Sequence, residues 1–214
     1  MNNTKLDYVA LGDSLTLGVG TLIAPGFVPR YEDALSISAH ADVKRKVFAR
    51  NGATSKDVLS FLSRKNVQEA IHGAEVITIS AGGNDLIRAA RSYIASNDKR
   101  FFEEVLWRCM KNISAILNTI IELKSIGRHP YIIRLIGLYN PFPFIDFSDN
   151  WVKAFNRYLN SFEESNIEVA NIYVPFKKAG RKVLSIDGLH PNGKGYEIIS
   201  EELVKLGFEP LLNQ

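Results

Sequence analysis

Five short apolar runs with helical patterns between them leave this chain few folds to choose from. They cover residues 6–11, 43–49, 75–80, 130–136 and 168–174. Four are rich in Val, Ile, Leu or Tyr, as strands buried on both faces should be. The second is more polar, since it starts with Lys44, Arg45 and Lys46. Phe101, Val105, Leu106, Cys109, Ile113, Ile116, Leu117, Ile120 and Ile121 recur at spacings of three and four. They predict one long amphipathic helix over residues 99–125. Shorter helical patterns cover 55–64, 149–164 and 192–206, with Ser148 or Asp149 to cap the second. Strands alternating with helices predict parallel β-α-β units with right-handed crossovers. The expected fold class is α/β: a three-layer α/β/α sandwich on a five-stranded parallel sheet, flavodoxin-like, in strand order 2-1-3-4-5.

A chain of 214 residues suits one domain, residues 1–214, and shows no repeat or interdomain linker. With 46% hydrophobic and 23% charged residues it can hold a core and is not a disordered chain. Its single cysteine, Cys109, can form no internal disulfide and sits in an apolar helical pattern, which reads as a buried, inert thiol. Met1 to Lys5 leads straight into Leu6 without a signal-peptide pattern, and no window reaches the ~18 apolar residues of a membrane span. The expectation is a cytoplasmic protein without integral membrane association. A net charge of +3 is too mild and scattered for a nucleic-acid surface, though it would assist transient contact with a lipid surface.

The chemistry-bearing residues follow the strands. Gly12-Asp13-Ser14 follows the first, Asn51-Gly52-Ala53-Thr54-Ser55 the second and Gly82-Gly83-Asn84-Asp85 the third. Asp187-Gly188-Leu189-His190-Pro191 comes after the fifth. Open parallel sheets bind ligands beyond the carboxyl ends of their strands, where the strand order reverses. In the expected order Ser14 and Asn84 flank that crevice. A serine hydroxyl needs an adjacent base to become a nucleophile, and His190 can supply one near neutral pH. Asp187, three residues earlier, can fold back to hold the far ring nitrogen. The backbone N–H groups of Ser14 and Gly52 and the amide of Asn84 are candidate oxyanion donors, with Gly52 allowing close backbone approach.

Each block has a plainer reading. Gly-Asp-Ser and Gly-Gly-Asn-Asp are common turns, Thr54 and Ser55 suit a helix cap, and His190 alone could be a surface histidine. Asp13 and Asp85 read best as structural, holding the loops that present Ser14 and Asn84. The segment YNPFPFI, residues 139–145, could wall an acyl pocket or simply pack.

Taken in order, the four blocks resemble those of the SGNH, or GDSL-type, hydrolases: esterases, lipases and acyl hydrolases. The likeness runs from residue 8 to about 196. It implies the SGNH hydrolase fold and a serine esterase or lipase acting through an acyl-enzyme. Ser14 would be the nucleophile, Asp187 and His190 the acid and base, and Ser14, Gly52 and Asn84 the oxyanion donors. No metal or organic cofactor is implied. The stretch LYNPF is similar to that of bacterial, bacillar members, and some relatives act on phospholipids, including in spores.

Competing motifs are incomplete. GLHPNGKG, residues 188–195, nearly fits a phosphate-binding loop but ends on Gly195 where Ser or Thr is needed. Gly18-Val19-Gly20 has Ile23 in place of the third dinucleotide glycine. The histidines at 40, 72, 129 and 190 lack metal-ligand spacing. No Gly-x-Ser-x-Gly elbow occurs. Three rival functions follow: an acyltransferase on the same site, a flavodoxin-like nucleotide or flavin binding module, and a catalytically silent relative.

Overall fold

The computed structural model describes residues 4–96, 98, 100–127, 129–145 and 147–212. Parallel strands β1 (Thr4–Gly12), β2 (Ala41–Ala49), β3 (Val76–Ile79), β4 (Ile132–Ile136) and β5 (Ile167–Ala170) form one sheet in the order β2-β1-β3-β4-β5. This is the expected sandwich and the expected order. Alternate residues of the inner strands face opposite layers. Val9, Leu11, Ile77 and Ile133 enter one apolar cluster, while Tyr8, Ala10, Val76 and Ile132 enter the other. The polar start of the second run has its reason in the same topology. β2 is an edge strand, and Lys44, Arg45 and Lys46 are exposed along it, which discourages pairing with another chain.

The helices are α1 (Ser14–Leu17), α2 (Phe27–Ala39), α3 (Ser55–Phe61), α4 (Lys65–Gly73), α5 (Gly83–Ser96), α6 (Arg100–Ser125), α7 (Ser148–Asn160), α8 (Tyr173–Ala179) and α9 (Gly193–Lys205). α2 and α9 cover one face of the sheet, and α3 to α7 cover the other. The long helix forms as α6; the expected start at residue 99 and the side chain of Phe101 lie outside the described residues. Cys109 is buried within it, and burial pushes its thiol well above the usual range.

Three expectations need correction. The helix expected over 55–64 is shorter: α3 ends at Phe61, and a further helix, α4, starts at Lys65, with the Gln68 amide donating to Leu62 O across the break (2.7 Å). The fifth run is a strand only to Ala170. Asn171 Oδ1 then accepts from Tyr173 N (3.3 Å), and the apolar residues beyond belong to α8, whose first turn tolerates Pro175. Neither Ser148 nor Asp149 caps α7. Its N-cap position is Phe147, while the Ser148 hydroxyl donates to Phe142 O and Asp149 takes an ion pair from Lys177.

Candidate active site

The register of β1 against β2 and β3 brings three loops to one edge. Gly12 pairs with Ala49 and Leu11 with Ile79, so the chain leaves all three strands at nearly the same height. The turn after β1 starts α1 with Ser14, which is 5% exposed. Asp13 caps that turn: its Oδ1 accepts from Leu15 N (3.0 Å) and from Ser80 Oγ (2.8 Å). Ser80 also bonds Thr16 Oγ1 at 2.8 Å, so the residue after β3 clamps the serine-bearing turn. Burial pushes the Asp13 carboxyl up to about 6, against these hydrogen bonds and the nearby His190. Both assignments of Asp13 and Asp85 to structural roles fit the geometry. Asp85 accepts from Ser55 N (2.7 Å) and Ser55 Oγ (2.8 Å), and Asn112 donates to the same hydroxyl (2.9 Å). Burial raises the Asp85 pKa despite those donors.

Asn84 spends one amide hydrogen on Ala53 O (2.9 Å), joining the loops after β2 and β3. Its nitrogen carries a second hydrogen for another acceptor. The Ser14 N–H is at the start of a helix, where no intrahelical carbonyl is available to it. Gly52 is different from what close approach predicts. A Cβ there would meet nothing within 4 Å; what calls for glycine is its φ of +73°. It is half-buried one residue from the Asn84 contact and does not line the cleft that Ser14, Asn84 and His190 share.

The fourth block folds back as its spacing predicts. Ser185 N donates to His190 O (2.7 Å) and closes the loop, while Asp187 Oδ1 accepts from the N–H groups of Leu189 and His190 (both 2.9 Å). Asp187 Oδ2 lies 2.5 Å from His190 Nδ1, and His190 Nε2 lies 3.0 Å from Ser14 Oγ. Partial burial works against ionisation of Asp187, but the bonds from the His190 ring and the two N–H groups outweigh it and hold the pKa below the usual carboxylate range. An ionised carboxylate only accepts, so Nδ1 carries the proton and Nε2 is free to receive one from Ser14.

Some contributors carry no sequence signal of their own. Gly20 lies against His190 and Pro191 so closely that a Cβ would stand 2.7 Å from His190 Cβ. Tyr139 donates its hydroxyl to Leu189 O (2.5 Å), steadying the histidine loop from across the site. The cleft that Ser14, Asn84 and His190 share is lined largely by apolar side chains. Its walls include Leu86, Ile87, Phe102, Leu138, Phe142, Ile145, Trp151 and Val152. Residues 139–145 therefore contribute to the cleft. Ser80 could have been suspected from its place at the carboxyl end of a strand; Phe102 and Trp151 could not, because their stacking joins helices distant in sequence.

Among the described residues, no three His, Cys, Asp or Glu side chains gather as a metal-binding group, and no helix is long and apolar enough to cross a membrane. The family model described as GDSL-like lipase/acylhydrolase matches residues 8–203. The spore germination lipase LipC of Bacillus licheniformis is 40% identical over 205 residues, 95% of this chain and 97% of its own. The crystal structure of the lipase Lip_vut3 from a goat rumen metagenome is 40% identical with a TM-score of 0.92, covering 96% of this chain and 99% of that one. The acetyl xylan esterase Axe2 of Geobacillus stearothermophilus shares the fold at 17% identity and a TM-score of 0.71, covering 98% of each chain.

Proposed function

Since the chain belongs to the GDSL-like lipase/acylhydrolase family and is a carboxylic ester hydrolase, we propose that one domain, residues 1–214, cleaves acyl esters of lipids with Ser14 as nucleophile. The observation that carries this reading is the continuous Ser14–His190–Asp187 chain, 3.0 Å and 2.5 Å long at its two links. Ser14 Oγ bonds to the ester carbonyl carbon as its proton passes to His190 Nε2. The resulting imidazolium is stabilised by Asp187. The carbonyl oxygen takes up negative charge and meets the N–H of Ser14 and the second amide hydrogen of Asn84, while Gly52, outside the cleft lining, serves the loop that carries Ala53. His190 then returns the proton to the alcohol oxygen as the C–O bond breaks, and water releases the acyl group from Ser14 by the same steps.

The apolar walls favour an acyl chain in the cleft, and the 40% likeness to LipC puts spore lipids among the substrates to try. Transient contact with a lipid surface is part of the same reading. A fluorophosphonate should label the protein once, at Ser14, and Ser14→Ala should abolish labelling and lower kcat by about 10⁴-fold or more. An adduct on another serine would overturn the assignment. Product analysis with added alcohols decides whether water or an alcohol takes the acyl group.

A further inference from the structure

Single exposed apolar residues are ordinary on a protein surface, but several around one opening are not. Leu22 is 100% exposed, Ile23 98% and Ile186 105%. Gly20 lies against Ser185, His190 and Pro191, and Ala24 lies against Gly193. The loop bearing Leu22 and Ile23 therefore runs beside the loop bearing Ile186 and His190. Across Asp187 and Leu189, Phe144 and Ile94 are also exposed in a groove that shares Phe142 and Leu189 with the catalytic cleft. Two cations stand among these side chains. Arg91 lines that groove, and the Arg181 guanidinium lies 3.2 Å from where a side chain on Gly188 would begin. Neither belongs to an ion pair among the described residues.

We propose that this rim is a docking face for an anionic lipid bilayer. Leu22, Ile23 and Ile186 enter the acyl boundary, Arg91 and Arg181 meet the phosphates, and the cleft mouth opens onto the membrane. The occupant follows from the form of the face. Its apolar groups are separate prongs on three loops and on helix α5, with a cation beside Ile94 and another beside the loop of Ile186. A protein partner needs a complementary surface of about 800 Å² per side. A bilayer accepts isolated prongs without shape matching and rewards each nearby cation when its lipids are anionic. The net charge of +3 acts in the same direction. For its purpose the proposal rests on the lipid-ester reading, because docking lets an acyl chain pass into the cleft without crossing bulk water.

The test uses the full chain carrying Ser14→Ala, so that vesicles survive, with and without Leu22→Ser and Ile23→Ser. The parent should cosediment with phosphatidylglycerol vesicles more strongly than with phosphatidylcholine vesicles, and salt should weaken the binding. The two substitutions should lower vesicle affinity by about tenfold or more. With Ser14 intact, they should leave hydrolysis of a soluble short-chain ester within about twofold while slowing hydrolysis of vesicle lipid. Undiminished vesicle binding by the substituted chain would overturn the docking face, as would equal binding to neutral vesicles. A parent that is dimeric and made monomeric by the substitutions would overturn it in favour of a second copy. Loss of soluble-ester activity in the Ser14→Ala parent is a separate readout, so failure of docking and failure of the catalytic reading are distinguishable.

Discussion

The two arms of the proposed catalytic site are built in opposite ways. The acid–base arm is local and wet: Asp187 and His190 are three residues apart, the Asp187 side chain is 43% exposed, and a loop closed on itself sets their geometry. The oxyanion arm is assembled from three distant loops, and its supports are buried or half-buried. Asp13, Ser80 and Thr16 lock the Ser14 turn, while Asn84, Ala53, Ser55, Asp85 and Asn112 tie the loops after β2 and β3 to helix α6. The difference has a physical basis. A proton relay needs one base aimed along one line, which a short turn can supply. Donors to a developing charge must hold still without reorganising, which needs a rigid frame. Substitutions in the first arm should therefore cost activity with little stability, and those in the second should cost both.

The largest effect expected on the exposed arm is that of His190→Ala. Its removal should lower kcat by about 10⁴-fold or more, as losing a triad base does in other serine hydrolases. The imidazole must be neutral to accept the Ser14 proton, so wild-type kcat/KM should rise with pH along one protonation step that the variant lacks. Asp187→Ala should cost less, since a histidine base remains though poorly aimed. The thermal melt of His190→Ala should stay close to wild type, and that of Asp187→Ala should fall modestly, since its carboxylate accepts from the N–H groups of Leu189 and His190. Near-wild-type turnover with an unchanged pH step in His190→Ala would place the base elsewhere.

Asn84→Ala tests the buried arm. Removing one oxyanion donor typically costs about 10²–10³ in kcat, or roughly 2.7–4 kcal/mol. The change should fall on kcat more than KM. Ala53 O loses its donor as well, which should cost roughly 1 kcal/mol of stability. Steady-state kinetics beside urea unfolding read both. A variant with unchanged kcat would remove Asn84 from the oxyanion site, and one with unchanged stability would remove the contrast between the arms.

The same contrast decides what could be read without coordinates. The acid–base arm was legible because both partners and their turn fit within five consecutive residues, 187–191. Ser14 and Asn84 were legible because β-α-β order puts them after strands one and three. The supports were not, because Ser80 meets Asp13 across 67 positions and Asn112 meets Ser55 across 57. Strand and helix errors have a comparable cause. Short apolar stretches such as residues 171–174 carry no period by which to tell a strand from the first turn of a helix. The four-residue turn at α1 is set by the Asp13 cap and the Ser80 clamp rather than by any pattern of its own.

The last expected effect separates the arms by their response to pH rather than by rate. Asp13 is buried with a carboxyl raised to about 6, whereas Asp187 is partly exposed and held below its ordinary value by the hydrogen bonds it accepts, which outweigh its partial burial. The sign follows from proton binding. Between roughly pH 4 and pH 6 the folded chain holds a proton on Asp13 that the unfolded chain, with an ordinary pKa of about 3.9, has released. Protonation thus favours the fold at low pH, and that advantage is lost as pH rises through about 6. The full span corresponds to a cost on the order of 3 kcal/mol for the ionised carboxylate. Asp13→Asn keeps an oxygen that can accept from Leu15 N and Ser80 Oγ but carries no charge. Urea midpoints measured from pH 4.5 to pH 8 should show the variant gaining on wild type as pH rises. Asp187→Asn should show no gain over that range, because a depressed carboxylate stabilises the fold above its unfolded pKa and stops doing so only in stronger acid. Parallel stability curves for Asp13→Asn and wild type would mean that water or movement hydrates Asp13, and the oxyanion arm would then be no more rigid than the loop that carries His190.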